Sequence, residues 1–136
     1  MTDLGLVVAE FEEHAAVIDE MERAAVDAAA DHGATLVETV RVPGTYDTPL
    51  AADRLARRED VDAVVVVGCV ISGDTDHDQV IATAAAQGLT DVSLDRDTPV
   101  MLGITGPGMS AAEARERTDA GAKAVAGAVQ RVEAAA

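Results

Sequence analysis

The sequence predicts a three-layer, doubly wound α/β fold, in which helices cover both faces of a four-stranded parallel sheet with strand order 2-1-3-4. Short apolar segments rich in valine alternate with longer alanine-rich segments, which is typical of parallel strands joined by right-handed helical crossovers. One segment, Ala63–Ile71, has no charged or polar side chain except its cysteine, as expected for a strand covered on both faces. We expect a single domain over residues 1–136, because this length suits one core.

The first two strands flank a long helix. Leu4–Val8 is the first expected strand, and the helix after it spans about Glu13–Asp31, where apolar residues recur with helical spacing. Thr35–Val42 is the second expected strand. Because it carries Glu38 and Arg41, we expect it at an edge of the sheet, where charged side chains reach solvent.

The second helix is predicted from the residues at its start. Thr48 is a suitable N-cap, and Pro49 suits the first helical position, where the missing N–H is not needed. The helix should run to about Arg58, and the third strand, Ala63–Ile71, follows it.

A glycine turn and a threonine cap mark the start of the third helix. Thr75 is the expected N-cap, with Asp78 three positions later as its capping partner. We expect this helix to run from Asp76 to about Gly88 and to resume toward Asp95.

The last strand and helix are also bounded by local signals. Val100–Ile104 is the fourth expected strand, and Gly106–Gly108 should end it. Ser110 and Glu113 then form a capping box for an alanine-rich helix, which we expect to be interrupted near Gly121.

The acidic composition argues against some classes of partner. The chain has 25 Asp and Glu residues against 10 Lys and Arg, a net charge of −15, which argues against nucleic acid or an anionic membrane. Such a surface suits strong salt, where charges are screened over short distances, so we expect a halophilic protein. No apolar run approaches the length of about 18 residues that would span a membrane, and no leader is recognisable. We therefore expect a soluble cytoplasmic protein.

The predicted topology brings four loops to one edge of the sheet, where open α/β sheets bind ligands. The loops contain Phe11, Pro43–Asp47, Ser72–His77 and Gly106–Gly108. Phe11 and Tyr46 are the only Phe and Tyr, and Trp is absent, which suggests that these rings stack on a planar ligand. Phe11 could instead close the end of the sheet, and Tyr46 could act through its backbone.

The turn Gly73–Thr75 is a candidate anion site, because free N–H groups at a helix start point outward. The acidic surroundings argue against this assignment, because Asp74, Asp76 and Asp78 would repel a phosphate unless their side chains turn away and a cation assists. A calcium loop does not fit, because Gln79 stands where the loop needs Gly and Ala85 where it needs Glu. We expect no metal.

The three histidines and the one cysteine have different expected roles. His77 lies in the first turn of a helix at the ligand edge, where it could transfer protons near neutrality. His14 and His32 are expected to be solvated. Cys69 lacks a base nearby in sequence, so we expect a small buried side chain rather than a nucleophile, and a lone cysteine cannot form an internal disulfide.

Several motifs resemble the lumazine synthase family over nearly the whole chain. They are Val42-Pro43-Gly44-x-x-Asp47-x-Pro49-Leu50-Ala51, Asp62-Ala63-Val64, Gly68-Cys69-Val70-Ile71-x-Gly73-Asp74-Thr75-x-His77, and Pro99-Val100 with Gly103-Ile104. Glu10-Phe11 and Gly106–Met109 resemble the archaeal branch. The resemblance implies a flavodoxin-like fold and the condensation of 5-amino-6-ribitylaminouracil with 3,4-dihydroxy-2-butanone 4-phosphate, without cofactor or metal. It also implies a homo-oligomer, either a pentamer or a sixty-subunit icosahedral shell, with sites between subunits.

The resemblance further implies roles for individual residues. His77 would transfer protons. The aminouracil and ribityl chain would contact Phe11, Thr45, Tyr46, Asp47, Cys69, Val70, Ile71 and a neighbour's Leu102. The phosphate would be bound by Gly73, Asp74, Thr75 and a neighbour's Arg117. Asp47, Ser72 and Leu102 depart from residues common at these positions, namely Glu, Arg and an aromatic.

Two alternatives remain open at the level of sequence. One is the related archaeal riboflavin synthase, which shares the fold but lacks the Gly-x-Thr-x-His turn. The other is a non-enzymatic, flavodoxin-like module that binds a flavin, which would leave His77 and Arg117 without a role.

Overall fold

A computed structural model describes residues 1–135. Four strands alternate with five α-helices, and a short 3₁₀ turn precedes each of the first two helices, at Glu12–His14 and Thr45–Asp47. The elements are β1 Asp3–Ala9, α1 Ala15–Asp31, β2 Thr35–Val42, α2 Thr48–Ala56, β3 Ala63–Ile71, α3 His77–Arg96, β4 Val100–Met109, α4 Ala111–Glu116 and α5 Ala120–Ala135.

The four strands form one parallel sheet in the order β2-β1-β3-β4. This arrangement confirms the predicted fold class and the predicted strand order. The charged strand β2 lies at an edge, as expected, whereas every residue of β3 except Ile71 is buried. The carboxyl ends of all four strands therefore meet at one side of the sheet, which is where the site is found.

Helices cover both faces of the sheet, and alternate residues of β3 point into two apolar layers. Val65 and Val67 belong to the layer formed with α1 and α5, and Val64 and Val66 to the layer formed with α2 and α3. A Cβ at Gly121 would lie 2.8 Å from the Met21 carbonyl oxygen, so a glycine there lets α1 and α5 approach closely. Within residues 1–135, no helix is both long and apolar enough to cross a membrane.

Two of the predicted helix caps are wrong, because both threonine side chains make other hydrogen bonds within their own turns. Thr48 is the first residue of α2, and its hydroxyl donates to the Thr45 carbonyl at 2.8 Å. Asp76 occupies the N-cap position of α3. The Thr75 hydroxyl accepts the His77 N–H at 3.2 Å, but no capping box forms. The box predicted for α4 is present in both directions between its Ser and Glu.

Three predicted element ends also differ. Helix α3 is continuous to Arg96, and its internal Gly88 packs against Pro49, where a Cβ would come within 2.9 Å of Cγ. Strand β4 continues beyond Gly106–Gly108, since after a register shift Ile71 pairs with Met109. The last helical region is interrupted between α4 and α5, over residues 117–119, rather than at its glycine.

Candidate functional site

A cavity of about 360 Å³ opens at the carboxyl ends of the strands. It lies where the sequence predicted a ligand site, and three of the four predicted loops contribute to it. The residues that line it are Glu10, Phe11, Glu12, Pro43, Gly44, Thr45, Cys69, Val70, Ile71, Gly73, Thr75, His77, Asp78 and Ile81. The fourth loop, Gly106–Gly108, contacts the site from outside through a hydrogen bond to Asp78.

Phe11 follows β1 and presents a phenyl ring to this cavity. Its side chain is half-buried and packs against the apolar layer formed with α1 and α5. The His14 imidazole meets it edge to face, with ring centroids 4.7 Å apart and planes at 88°. His14 is therefore a half-buried neighbour of the candidate stacking ring and is less solvated than expected. His32 is exposed.

The buried carboxyl end of β3 and the second 3₁₀ turn form the well-packed part of the cavity, called its firm part below. Cys69, Val70 and Thr45 have exposed fractions of 3, 6 and 8%. Burial raises the pKa of the Cys69 thiol to about 11, so this thiol is protonated at neutral pH. Since the thiolate is the nucleophilic form, Cys69 provides packing and backbone groups rather than a nucleophile.

The turn between β3 and α3 forms the polar, exposed part of the cavity. Gly73, Thr75 and His77 are exposed and line it. Asp78, which was expected to be a capping partner that would repel a phosphate, is half-buried and lines it too. Ile81 was also missed, although it follows His77 by one helical turn and so shares its helix face.

The cavity is rich in carboxylates and lacks a cation of its own. Glu10, Glu12 and Asp78 line it, whereas no lysine or arginine among residues 1–135 does so. A bound phosphate would therefore need a positive charge from elsewhere. In the described part of the chain, no group of three or more His, Cys, Asp or Glu side chains could hold a metal ion.

Five of the predicted site residues lie outside this cavity. Asp74 is exposed in the turn and does not line it. Tyr46 is 64% exposed, and Asp47 lines a separate groove between β2 and α2. Leu102 is 52% exposed and lines a groove of about 240 Å³ between β4 and α3. Arg117 lies directly after the last residue of α4.

Arg117 has one ion-pair partner among the described residues. Its guanidinium lies 3.1 Å from the Glu113 carboxylate, one helical turn earlier, and both side chains are about half exposed. Exposed pairs at this spacing contribute little, roughly 0.3–0.5 kcal/mol. The guanidinium is therefore only weakly held by its own chain.

Comparisons with known proteins agree on one family. The family model described as 6,7-dimethyl-8-ribityllumazine synthase matches residues 2–136. A protein of that name from Halobacterium salinarum is 65% identical over 129 residues, which cover 95% of this chain and 96% of the relative. One from Halorubrum lacusprofundi is 62% identical over 129 residues, 95% of each chain. One from Methanocaldococcus jannaschii is 46% identical over 132 residues, 97% of this chain and 92% of the relative.

Proposed function

The chain belongs to the 6,7-dimethyl-8-ribityllumazine synthase family, and from this membership we infer that it catalyses that reaction in riboflavin biosynthesis. It condenses 5-amino-6-(D-ribitylamino)uracil with 3,4-dihydroxy-2-butanone 4-phosphate, giving 6,7-dimethyl-8-ribityllumazine, phosphate and water. The alternative assignments, an archaeal riboflavin synthase or a non-enzymatic flavin-binding module, are not favoured by the relatives, which carry the synthase name.

The observation that carries this function is one cavity lined by both an aromatic ring and a histidine-bearing turn. Phe11 and His77 both contribute to this space of about 360 Å³. A planar pyrimidine and a small phosphorylated ketone are the two reactants that such a cavity would have to hold together. Holding two reactants in place can itself supply an effective molarity of about 10⁵ M or more.

The aminouracil would be held by the firm part of the cavity. Phe11 stacks on the pyrimidine, and Cys69–Ile71 contact it through their backbone. Thr45–Asp47 bind the ribityl chain, in part through groups presented beyond the cavity itself. A neighbouring subunit's Leu102 completes the pocket, which agrees with the exposure of this side chain in a single chain.

The phosphate would be bound by the turn before α3. Gly73, Asp74 and Thr75 offer backbone N–H groups and one hydroxyl, as helix starts commonly do for anions. The missing positive charge comes from Arg117 of a neighbouring subunit, whose planar guanidinium suits a bidentate contact with phosphate. Its exposure and weak pairing within its own chain support this role.

His77 would transfer protons during the reaction. The 5-amino group of the uracil attacks the ketone and forms an imine with loss of water. Phosphate then leaves, and the ring closes with loss of a second water. Each step moves protons between nitrogen, carbon and oxygen, and a histidine in the exposed turn can donate and accept them. No cofactor or metal takes part in this proposal.

We further propose that the protein is a single-domain, cytoplasmic, halophilic homo-oligomer, a pentamer or a sixty-subunit shell. The shared site requires at least one interface in which Arg117 and Leu102 reach a neighbour. The acidic surface, with a net charge of −15, supports the halophilic assignment, as do the similar relatives from Halobacterium and Halorubrum.

Mixing the purified protein with the two substrates tests the proposed reaction. We expect lumazine absorbance and fluorescence to appear together with an equal amount of inorganic phosphate. Conversion of added lumazine to riboflavin would instead indicate the riboflavin synthase. Flavin binding without turnover of either kind would indicate a binding module.

A further inference from the structure

One carboxylate in the cavity connects three elements of the fold. The Asp78 Oδ2 atom accepts the Gly108 N–H at 3.0 Å and lies 3.5 Å from the Ser72 hydroxyl oxygen. Asp78 is in the first turn of α3, Gly108 is in β4, and Ser72 follows β3. A single oxygen atom therefore joins the helix that carries His77 to the ends of the two strands beside it.

The strand side of this contact is fixed by the backbone. The Ser72 N–H donates to the Met109 carbonyl at 2.8 Å. Gly108 has a φ of +73°, which a residue with a side chain rarely adopts. The position of the Gly108 N–H is therefore fixed by the strand backbone. Its hydrogen bond to Asp78 can in turn fix the position of the first turn of α3.

The turn on the other side of the contact has only short-range hydrogen bonds of its own. Among the described residues, the His77 N–H donates to the Thr75 hydroxyl at 3.2 Å, and the Gln79 N–H to the Asp76 carbonyl at 3.0 Å. Neither bond ties the turn to the sheet. The hydrogen bond that the Gly108 N–H donates to Asp78 does so.

We propose that Asp78 is a positioning residue, which fixes the phosphate-binding turn and His77 by anchoring the start of α3 to the bend of β4. The inference rests on the proposed function of that turn. It also explains why a carboxylate is tolerated beside a phosphate site, since Oδ2 is engaged by an N–H donor. The part of the cavity around Phe11 does not depend on this contact.

Steady-state kinetics with each substrate varied in turn test the proposal. A hydrogen bond to a charged group contributes about 1.5 kcal/mol or more, so losing it should cost about tenfold. We expect Asp78→Ala, and Asp78→Leu, which keeps the branched shape of the side chain, to raise KM for the butanone phosphate by about that factor. KM for the aminouracil should stay within about twofold, because its contacts lie elsewhere.

Two comparison variants separate the hydrogen bond from the charge. Asp78→Asn keeps an oxygen that can accept the Gly108 N–H, so it should recover most of the affinity. Asp76→Ala removes a carboxylate from the same turn, and the Asp76 side chain makes no cap hydrogen bond, so KM should not rise. Equal increases in both KM values for Asp78→Ala, or an Asn variant as impaired as Ala, would overturn the proposal.

Two further measurements test the role of Asp78 without relying on catalytic activity. Hydrogen exchange in the peptide containing Gly108 should accelerate in the Ala and Leu variants and remain slow in the Asn variant. Calorimetric titration with inorganic phosphate should show the same order of affinities, about tenfold weaker for Ala and Leu. If the parent protein bound phosphate but made no lumazine, the proposed function would fail while these measurements still decided the role of Asp78. Unchanged exchange or unchanged phosphate affinity in the Ala variant would refute it.

Discussion

The site residues differ in how firmly the fold holds them. Cys69 and Val70 are buried at the end of β3, and Thr45 is buried beside them, so packing fixes the backbone groups that they present. Thr75 and His77 lie exposed in a turn held by few hydrogen bonds. Exposed backbone hydrogen bonds open more readily than buried ones. The groups proposed to transfer protons and to bind phosphate are therefore the part of the site most easily displaced.

Replacing His77 with Ala tests proton transfer. We expect turnover to fall by roughly ten- to a few-hundred-fold, because positioning remains and water can still move protons. KM for both substrates should change little. The measurement is steady-state production of lumazine, with His32→Ala as the control, since His32 is exposed at the end of α1. Complete loss of activity in a folded His77→Ala assembly would show that His77 does more than transfer protons.

At the same scale, the sequence predicted the edge of the sheet at which the cavity lies, but not all of the contacts there. Phe11 and His77 could be predicted because residues that follow parallel strands meet at one edge. The contact between Phe11 and His14 could not, since it depends on a 3₁₀ turn that no sequence pattern indicated. Leu102 and Arg117 lie outside the cavity of their own chain, so a single chain cannot show what they contact.

At the scale of secondary structure, a helix cap could be predicted from sequence where the hydrogen-bond partners lie within the same turn. Ser110 and Glu113 form the predicted capping box because both hydrogen bonds close within four residues. Asp78 had the same spacing from Thr75, but it bonds instead to Gly108, 30 positions away. The long β-branched strands could be predicted because burial on both faces demands them. The continuity of α3 could not be predicted, because its internal glycine, Gly88, packs against Pro49, and the sequence does not show this contact between two helices.

An ion pair between α2 and α3 gives a prediction at this scale. Asp53 accepts a hydrogen bond from Arg96 at 2.8 Å, and Arg57 lies 2.9 Å away. The hydrogen bond from Arg96 is the main cause that lowers the pKa of Asp53 below its ordinary 3.8. A carboxylate with a lowered pKa stabilises the fold above its unfolded pKa, and this stabilisation is lost as the pH falls through the folded pKa.

We therefore expect Asp53→Asn to be less stable than the parent at pH 7, and the difference to shrink below about pH 3.8. Urea unfolding of both proteins across this range, at constant salt, measures it. Asp91→Asn is the control, because Asp91 lies on α3 and is bonded only to a neutral side chain, Gln87, among the described residues. A difference between parent and Asp53→Asn that stayed constant with pH would contradict the role of the ion pair.

For the whole molecule, charge and exposed apolar surface act in opposite directions. Each chain carries a net charge of −15, which repels other copies. Yet Val80 on α3 and Leu102 on the edge strand β4 are 62 and 52% exposed. Open strand edges and apolar patches favour association. The balance between repulsion and burial should therefore depend on ionic strength.

We expect the proposed assembly to loosen or dissociate when salt is removed. At molar salt the Debye length is about 3 Å, whereas at 0.01 M it is about 30 Å, long enough for charges on neighbouring subunits to repel. Light scattering and thermal unfolding during dialysis from molar to millimolar salt measure the effect. Sucrose at matched osmolality is the control for effects other than screening. An unchanged particle mass and melting temperature would contradict the prediction.

The last prediction follows from a site shared between two chains. Phe11 and His77 line the cavity of one chain, and Arg117 is proposed to reach the cavity of its neighbour. A Phe11→Ala assembly lacks the stacking ring in every site, and an Arg117→Ala assembly lacks the cation in every site. In a mixed assembly, an Arg117→Ala chain can receive Arg117 from a Phe11→Ala neighbour, which makes one complete site. The opposite pairing carries both defects.

Co-refolding the two weakly active variants should therefore recover up to about a quarter of parental activity, because random mixing gives about a quarter of ordered neighbour pairs the productive arrangement. Mixing assemblies that were already formed, under conditions without subunit exchange, is the control and should give no recovery. Mass spectrometry establishes that the co-refolded particles contain both chains. If such particles are no more active than their parents, Arg117 does not act on a neighbouring site, and the phosphate must obtain its positive charge from another residue.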